Sequence, residues 1–280
     1  MTLGKYNIEA ASSFIVDNID LIEREQFDEV FNNAYHCNLV PDVIYMFLKS
    51  DIKFLHLIDF IYPEMFKYCN EFETITIPNN INFIGADSFQ YNKKLKQVNF
   101  TADSSVQVIE KSAFASCENL QSIILPDSIE LIEEDAFFKC SKLTAVRLPD
   151  AIDRINSSTF FSCYNLTNIT LPNSLVEISS FSFSNCHLTD IKLPPLIQRI
   201  ESQAFENCRF LKNITLTGNI PKIYVEAFEN CFNLETITYN GSRKQFNDAY
   251  GNQSWYRIKH TQAKNEPKIV CNDGIIDLKS

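Results

Sequence analysis

The sequence predicts an α/β repeat solenoid with one parallel sheet, one short strand per unit, and a helical cap at its N-terminal end. Three observations predict it: a phenylalanine that returns about every 23 residues, an alternating Ile-x-Leu segment in fixed phase with it, and the loss of both signals over residues 1–56. A chain of 280 residues would otherwise hold one or two ordinary domains, but a repeat array grows by stacking units rather than by enlarging one core. The chain has the apolar material to fold, with 23 phenylalanines and a 45% hydrophobic composition, far above what a disordered chain carries.

The phenylalanines in phase are Phe66, Phe89, Phe114, Phe137, Phe160, Phe183, Phe205 and Phe228. Around them the chain reads Ile-x-x-Ile-x-x-x-Ala-Phe-x-x-Cys-x-x-Leu-x-x-Ile-x-Leu-Pro, most clearly from Ile129 to Pro149. A two-residue expansion near Thr101–Ser105 and a one-residue deletion at Cys186-His187-Leu188 interrupt the period. A repeat of this length containing Leu-x-x-Ile-x-Leu is a leucine-rich repeat, so the expected body is a leucine-rich-repeat horseshoe of about eight units over residues 57–241. In each unit the Ile-x-Leu alternation makes a strand whose two apolar side chains point inward. Proline follows in most units (Pro78, Pro126, Pro149, Pro172, Pro194), where its missing N–H ends the ladder. The Ile-x-x-Ile-x-x-x-Ala-Phe-x-x-Cys half forms the opposite wall, its phenylalanine filling the width between the two.

This consensus resembles the BspA-type leucine-rich repeat, in which Ala-Phe-x-x-Cys-x-x-Leu and Ile-x-Leu-Pro recur much as they do in Ala136–Pro149. The tail, with Tyr239-Asn240-Gly241-Ser242, Gln245-Phe246, Trp255 and Cys271-Asn272-Asp273-Gly274, is similar to the closing segment of such proteins. The resemblance implies binding or adhesion by a bacterial or phage-like protein, with no catalytic residues to carry over.

A solenoid exposes an apolar cross-section at each end and needs caps. Residues 1–56 take helical period: Val40, Val43, Ile44, Phe47 and Leu48 fall on one face behind Pro41, and Ile19, Ile22, Phe27, Val30, Phe31 and Ala34 form a second stripe. Residues 242–280 read as the C-terminal cap, with Trp255 placed to plug the last layer. The N-terminal cap is acidic and the C-terminal segment basic, and each charge excess reads first as a solvated surface.

The formal net charge is −10, and no basic stripe offsets it, which argues against nucleic acid. No basic segment followed by an apolar run opens the chain, and no stretch approaches about 18 apolar residues, so neither export nor membrane insertion is expected. The expectation is a monomer in the cytoplasm or on a virion.

Seven cysteines share one repeat phase: Cys69, Cys117, Cys140, Cys163, Cys186, Cys208 and Cys231, with Asn92 in the eighth unit. Stacked equivalents have parallel Cα–Cβ directions, which suits packing rather than disulfides. Without a Cys-x-x-Cys or His-x-x-x-His pair the ladder lacks zinc spacing. Cys186-His187 sets a nucleophile type beside a base type, but adjacent residues point apart. The carboxylate run Glu133-Glu134-Asp135 has no partner at a readable spacing, and six glycines leave little for phosphate-binding loops. No enzyme, metal or cofactor is expected.

The surface left for function is the exposed face of the sheet. Its outward positions are Thr76, Asn99, Ile124, Arg147, Thr170, Lys192, Thr215 and Thr238, joined by Gln97, Asn168, Asp190 and Asn213 before them. The face is polar and nearly uncharged, suited to a protein partner held by hydrogen bonds, with Arg147 and Lys192 as its cations. The alternatives are an adhesin that binds carbohydrate or a cell surface, and a structural part of a larger, viral assembly.

Overall fold

A computed structural model of the chain describes residues 55–56, 58–250 and 267–276. The helical cap expected over residues 1–56, apart from Leu55 and His56, and the Trp255 plug lie outside the described residues.

Short and long strands alternate along the chain: β1 (Phe60–Ile61), β2 (Thr74–Ile77), β3 (Phe83–Ile84), β4 (Gln97–Phe100), β5 (Val108–Ile109), β6 (Ser122–Ile123), β7 (Leu131–Ile132), β8 (Ala145–Arg147), β9 (Arg154–Ile155), β10 (Asn168–Thr170), β11 (Glu177–Ile178), β12 (Asp190–Leu193), β13 (Arg199–Ile200), β14 (Asn213–Leu216), β15 (Lys222–Ile223) and β16 (Thr236–Tyr239). The fold is the expected parallel solenoid, but each unit contributes two strands where the sequence predicts one. The even-numbered strands grow from Ile-x-Leu and build one wall. The odd-numbered ones form around the second isoleucine of Ile-x-x-Ile and build another. Two residues are too few to show a period-2 alternation, so this second wall leaves no strand signal in the sequence.

On the long-strand wall the register sets like against like: Ile75 opposite Val98, Ile191 opposite Ile214, and Ile214 opposite Ile237. Inward residues are buried and their neighbours face solvent, as along Thr74–Ile77. The prolines do more than end the ladder. The carbonyl of each accepts the amide three residues on (Ile81, Ile129, Ile152, Leu175, Ile197; 3.2–3.3 Å), closing the turn that leads to the short strand. The wall divides into two sheets, β10-β8-β6-β4-β2 and a second that begins at β12. The break falls at the one-residue deletion of Cys186–Leu188.

Between short and long strands the chain crosses on tight turns rather than helix. Residues two before and two after each ladder phenylalanine adopt left-handed φ, as at Asp135 and Lys139 around Phe137, or Ser158 and Ser162 around Phe160. None of the residues at these positions is glycine, although the conformation costs an ordinary residue about 1–2 kcal/mol. Hydrogen bonding supplies the compensation. Alternate amides bond to the next layer (Asp135 N to Ser157 O, 3.1 Å; Phe137 N to Thr159 O, 2.9 Å; Lys139 N to Phe161 O, 2.7 Å), and those between them close turns within the layer (Phe138 N to Asp135 O, 2.9 Å; Cys140 N to Phe137 O, 3.1 Å). This kink-by-kink path satisfies the buried backbone on a wall too irregular for a strand.

The core is a column. Phe66, Phe89, Phe114, Phe137, Phe160, Phe183, Phe205 and Phe228 stack ring on ring, with centroids 5.0–5.5 Å apart and planes within 18° of parallel. Beside it, six of the seven ladder thiols donate to the carbonyl of the preceding unit's phenylalanine, from Cys117 Sγ to Phe89 O (3.0 Å) up to Cys231 Sγ to Phe205 O (3.2 Å). In the unit lacking the cysteine, Asn92 Nδ2 donates to Phe66 O at 2.6 Å. Position and donor are conserved through the stack even where the residue type changes.

At the C-terminal end, α1 (Arg243–Tyr250) sets Phe246 against Tyr239, ring centroids 5.7 Å apart, with Phe246 buried. β17 (Lys268–Cys271) then adds to β16 in parallel, and β18 (Gly274–Ile276) returns antiparallel to end the sheet. It presents only three residues of edge, a short one as exposed edges commonly are.

Phe137→Ala should lower unfolding free energy by about 3–5 kcal/mol, since a ring gripped by two others leaves a cavity that the rigid layers cannot close; chemical denaturation measures it. At Ser158, whose φ is 56°, glycine should match or raise the melting temperature while valine lowers stability by about 1–2 kcal/mol. Equal effects of the two would show that the left-handed turns are not held by the fold.

Candidate binding face

All twelve outward residues singled out from the sequence sit on the solvent side of the long-strand wall. Thr76, Gln97, Ile124, Arg147, Asn168, Thr170, Asp190 and Lys192 are exposed; Asn99, Asn213, Thr215 and Thr238 are half-buried. The break between the two sheets separates them into two groups. Thr76, Gln97, Asn99, Arg147, Asn168 and Thr170 belong to the first sheet, with Ile124 just past the end of its central strand β6, while Asp190, Lys192, Asn213, Thr215 and Thr238 belong to the second.

Several of these polar residues are already engaged with each other. Gln97 Nε2 donates to Asn99 Oδ1 at 2.7 Å. Asn213 Nδ2 donates to Asp190 Oδ1 at 2.6 Å, and this bond holds the Asp190 carboxyl below its ordinary pKa. The two cations differ. Arg147 Nη1 bonds to Asp127 Oδ1 at 2.7 Å, with Asp150 Oδ2 3.9 Å from Nη2, so its charge is met on two sides. Lys192 makes no ion pair among the described residues.

Next to Arg147 the wall is indented. The two-residue expansion carries the chain outward after β4 and opens a depression of about 530 Å3, lined by Asn99, Phe100, Thr101, Ala102, Ser104, Ile124, Leu125, Pro126, Asp127, Ser128 and Arg147. Two features of it are unspent. Ile124 is 83% exposed, and the Thr101 Oγ1 is buried without a hydrogen-bond partner. The sequence showed the expansion and the exposed isoleucine but not that they meet, because a loop's path is not set by its length. The carboxylates flanking Arg147 were in plain sight as Pro126-Asp127 and Pro149-Asp150; their reach back to the strand was not.

The candidates for chemistry are taken up by structure. Cys186 points inward to Phe160 O, while the His187 ring lies outside between Tyr164 (6.3 Å between centroids) and Phe210 (4.6 Å), so the adjacent pair faces opposite ways. Burial pushes the ladder thiols up, Cys117 and Cys208 to about 12. A thiolate there would be stripped of solvent, which is the reverse of an activated nucleophile. Glu133 is spent differently from an acid catalyst: its carboxylate accepts the Lys111 amide of the preceding layer at 2.8 Å. Among the described residues no group of three possible ligands could hold a metal ion, and no helix is long and apolar enough to cross a membrane.

The BspA type leucine rich repeat region matches the chain in six copies, over residues 59–163 and 132–254. A leucine rich cell surface protein from Faecalibacterium prausnitzii has a similar solved structure, with a TM-score of 0.56 and 25% identity over 65% of this chain. The likeness spans 59% of that protein's length. A leucine rich repeat protein of T. pallidum is similar at a TM-score of 0.55 and 28% identity, covering 62% of this chain and 81% of the other. No curated protein matches the chain.

The six buried thiols from Cys117 to Cys231 should resist alkylation in the native protein and react only on unfolding. Mass spectrometry of labelled protein checks this, and fast native labelling of any of the six contradicts the packing. Their raised pKa has a pH consequence. Protonated thiols in the fold leave stability intact below pH 9, and stability should fall from about pH 9 towards 12, where unfolded thiols ionise and folded ones do not. Melting curves across that range, with Cys117→Ala and Cys208→Ala flattening the slope, measure it.

Proposed function

Because the chain belongs to the BspA-type leucine-rich-repeat family, we propose that it is a non-catalytic scaffold, monomeric, that binds a protein partner through the outward residues of its long-strand wall. The observation that carries this reading is Ile124, 83% exposed at the end of the central strand of its sheet. The core gains nothing from that side chain, and an aliphatic group among polar neighbours contributes to free energy only when something covers it. Around it stand hydrogen-bonding side chains on a backbone fixed by strand pairing, so binding would cost little ordering.

A second reading is attachment to a cell surface, favoured by the similarity to the Faecalibacterium cell surface protein. It uses the same wall with a surface component as the partner.

Immobilised protein, an Ile124→Glu/Thr170→Glu variant and a Lys142→Glu control should be compared for what each retains from extracts and from intact surfaces of the host. All three should melt alike, since exposed substitutions change stability by less than about 0.5 kcal/mol. A specific partner should be held by the native protein and the control and be lost from the double variant. Retention that is indifferent to the double change rejects this wall as the site.

A further inference from the structure

The geometry points to the depression beside Ile124 as a pocket for a cationic–aliphatic peptide segment, one that places a large apolar side chain on Ile124 and a lysine or arginine against the solvent-facing carboxylate of Asp127 or Asp150. This rests on the long-strand wall being a recognition face and assigns the chemistry of what it takes.

The apolar half of the argument is the floor. Phe100 packs partly into the core, and Leu125, Pro126 and Ala102 continue the surface up to Ile124. The volume of about 530 Å3 is in the range of pockets that enclose small ligands, room for a side chain and its neighbours rather than for a helix face.

The charged half is the ratio of carboxylates to cations. Turns of three successive units carry Asp103, Asp127 and Asp150 against the single guanidinium of Arg147. Asp127 and Asp150 have side chains 75% and 86% exposed, and Asp103 is bound only to the neutral Asn79 amide, at 2.6 Å. An incoming carboxylate would have to displace Asp127 from Arg147 and then sit beside Asp127 and Asp150. An incoming cation would extend an alternation already begun, Asp127–Arg147–Asp150. Arg147 thus serves to space the carboxylates rather than to attract an anion.

The test uses two synthetic probes, acetyl-Ile-Lys-Val-Arg-amide and acetyl-Ile-Glu-Val-Glu-amide, titrated into the full chain while the Ile124 methyl and Arg147 Nε signals are followed by NMR. The basic peptide should move both signals saturably and bind more weakly as salt rises. Ile124→Ser should abolish the response, and Asp127→Asn/Asp150→Asn should weaken it about fivefold, the effect of losing an exposed charge pair. The proposal is overturned if the acidic peptide moves the same signals as readily, if neither peptide moves them, or if the double Asn variant binds the basic peptide unchanged. Should the face variant above still lose its partner while the basic peptide has no effect, the recognition face stands and the ligand chemistry assigned here fails.

Discussion

The constraint on which the structure depends is the layer spacing. Backbone hydrogen bonds fix neighbouring strands about 4.7–4.9 Å apart, and a chain that returns to the same place every turn must set each side chain directly over its equivalent. The spacing admits few residues at a given height. An aromatic ring stacked on its own copy fits it, as the 5.0–5.5 Å column from Phe66 to Phe228 shows. A branched aliphatic does too, as in the Ile and Leu rungs. The thiols add a donor small enough to reach the carbonyl one layer back, and where cysteine is absent Asn92 reaches the same carbonyl with an amide. The rule the column obeys is one of shape and donor.

Charge obeys the opposite rule. Like charges stacked at this distance repel, and several of the ladder positions that carry charge alternate or pair across layers. On the short-strand wall Glu177 is buried between Arg154 (3.2 Å) and Arg199 (2.5 Å), with Ser179 Oγ donating at 3.1 Å to Oε1, the oxygen that faces Arg154. Elsewhere Lys96 meets Glu73, Lys93 meets Glu118 and Lys111 meets Glu134, each one unit apart. Exposed pairs of this kind add little stability. Their effect is on register: a slip by one unit would bring apolar rungs together just as well, while setting charges against the wrong neighbours.

What the sequence made legible follows from the same constraint. Periodicity is a property of the stack, so the number of layers, the long strands, the inward residues and the cysteine ladder were all readable from one aligned consensus. The short strands were not, since Phe83–Ile84 or Arg154–Ile155 is no longer than any two residues of a loop. Nor were the left-handed turns: glycine and asparagine usually mark them, whereas here Asp135, Lys139 and Phe181 adopt them under the pull of amide bonds to the next layer. At the candidate face the outward positions were legible from parity along the strand. Their pairing was not, because Asp127 and Asp150 lie beyond the proline turns, and only the turn's closure brings them back over Arg147.

A perfectly periodic solenoid would present the same surface at every layer and could not distinguish one place on a partner from another. Recognition therefore has to come from what breaks the period. Outward substitutions do so without cost to the core, and Ile124 among threonines and asparagines is the most apolar of them. Changes in unit length do so through the backbone. The deletion at Cys186–Leu188 falls where the sheet breaks between β10 and β12, and the expansion at Thr101–Ser105 lines the depression beside Ile124. The phenylalanine column runs through both without interruption, so the irregularities are absorbed in the turns and the stack keeps its stability. Separating an invariant column from a variable wall in this way allows the outer surface to be reshaped, unit by unit, while the hydrogen-bonded layers beneath it stay as they are.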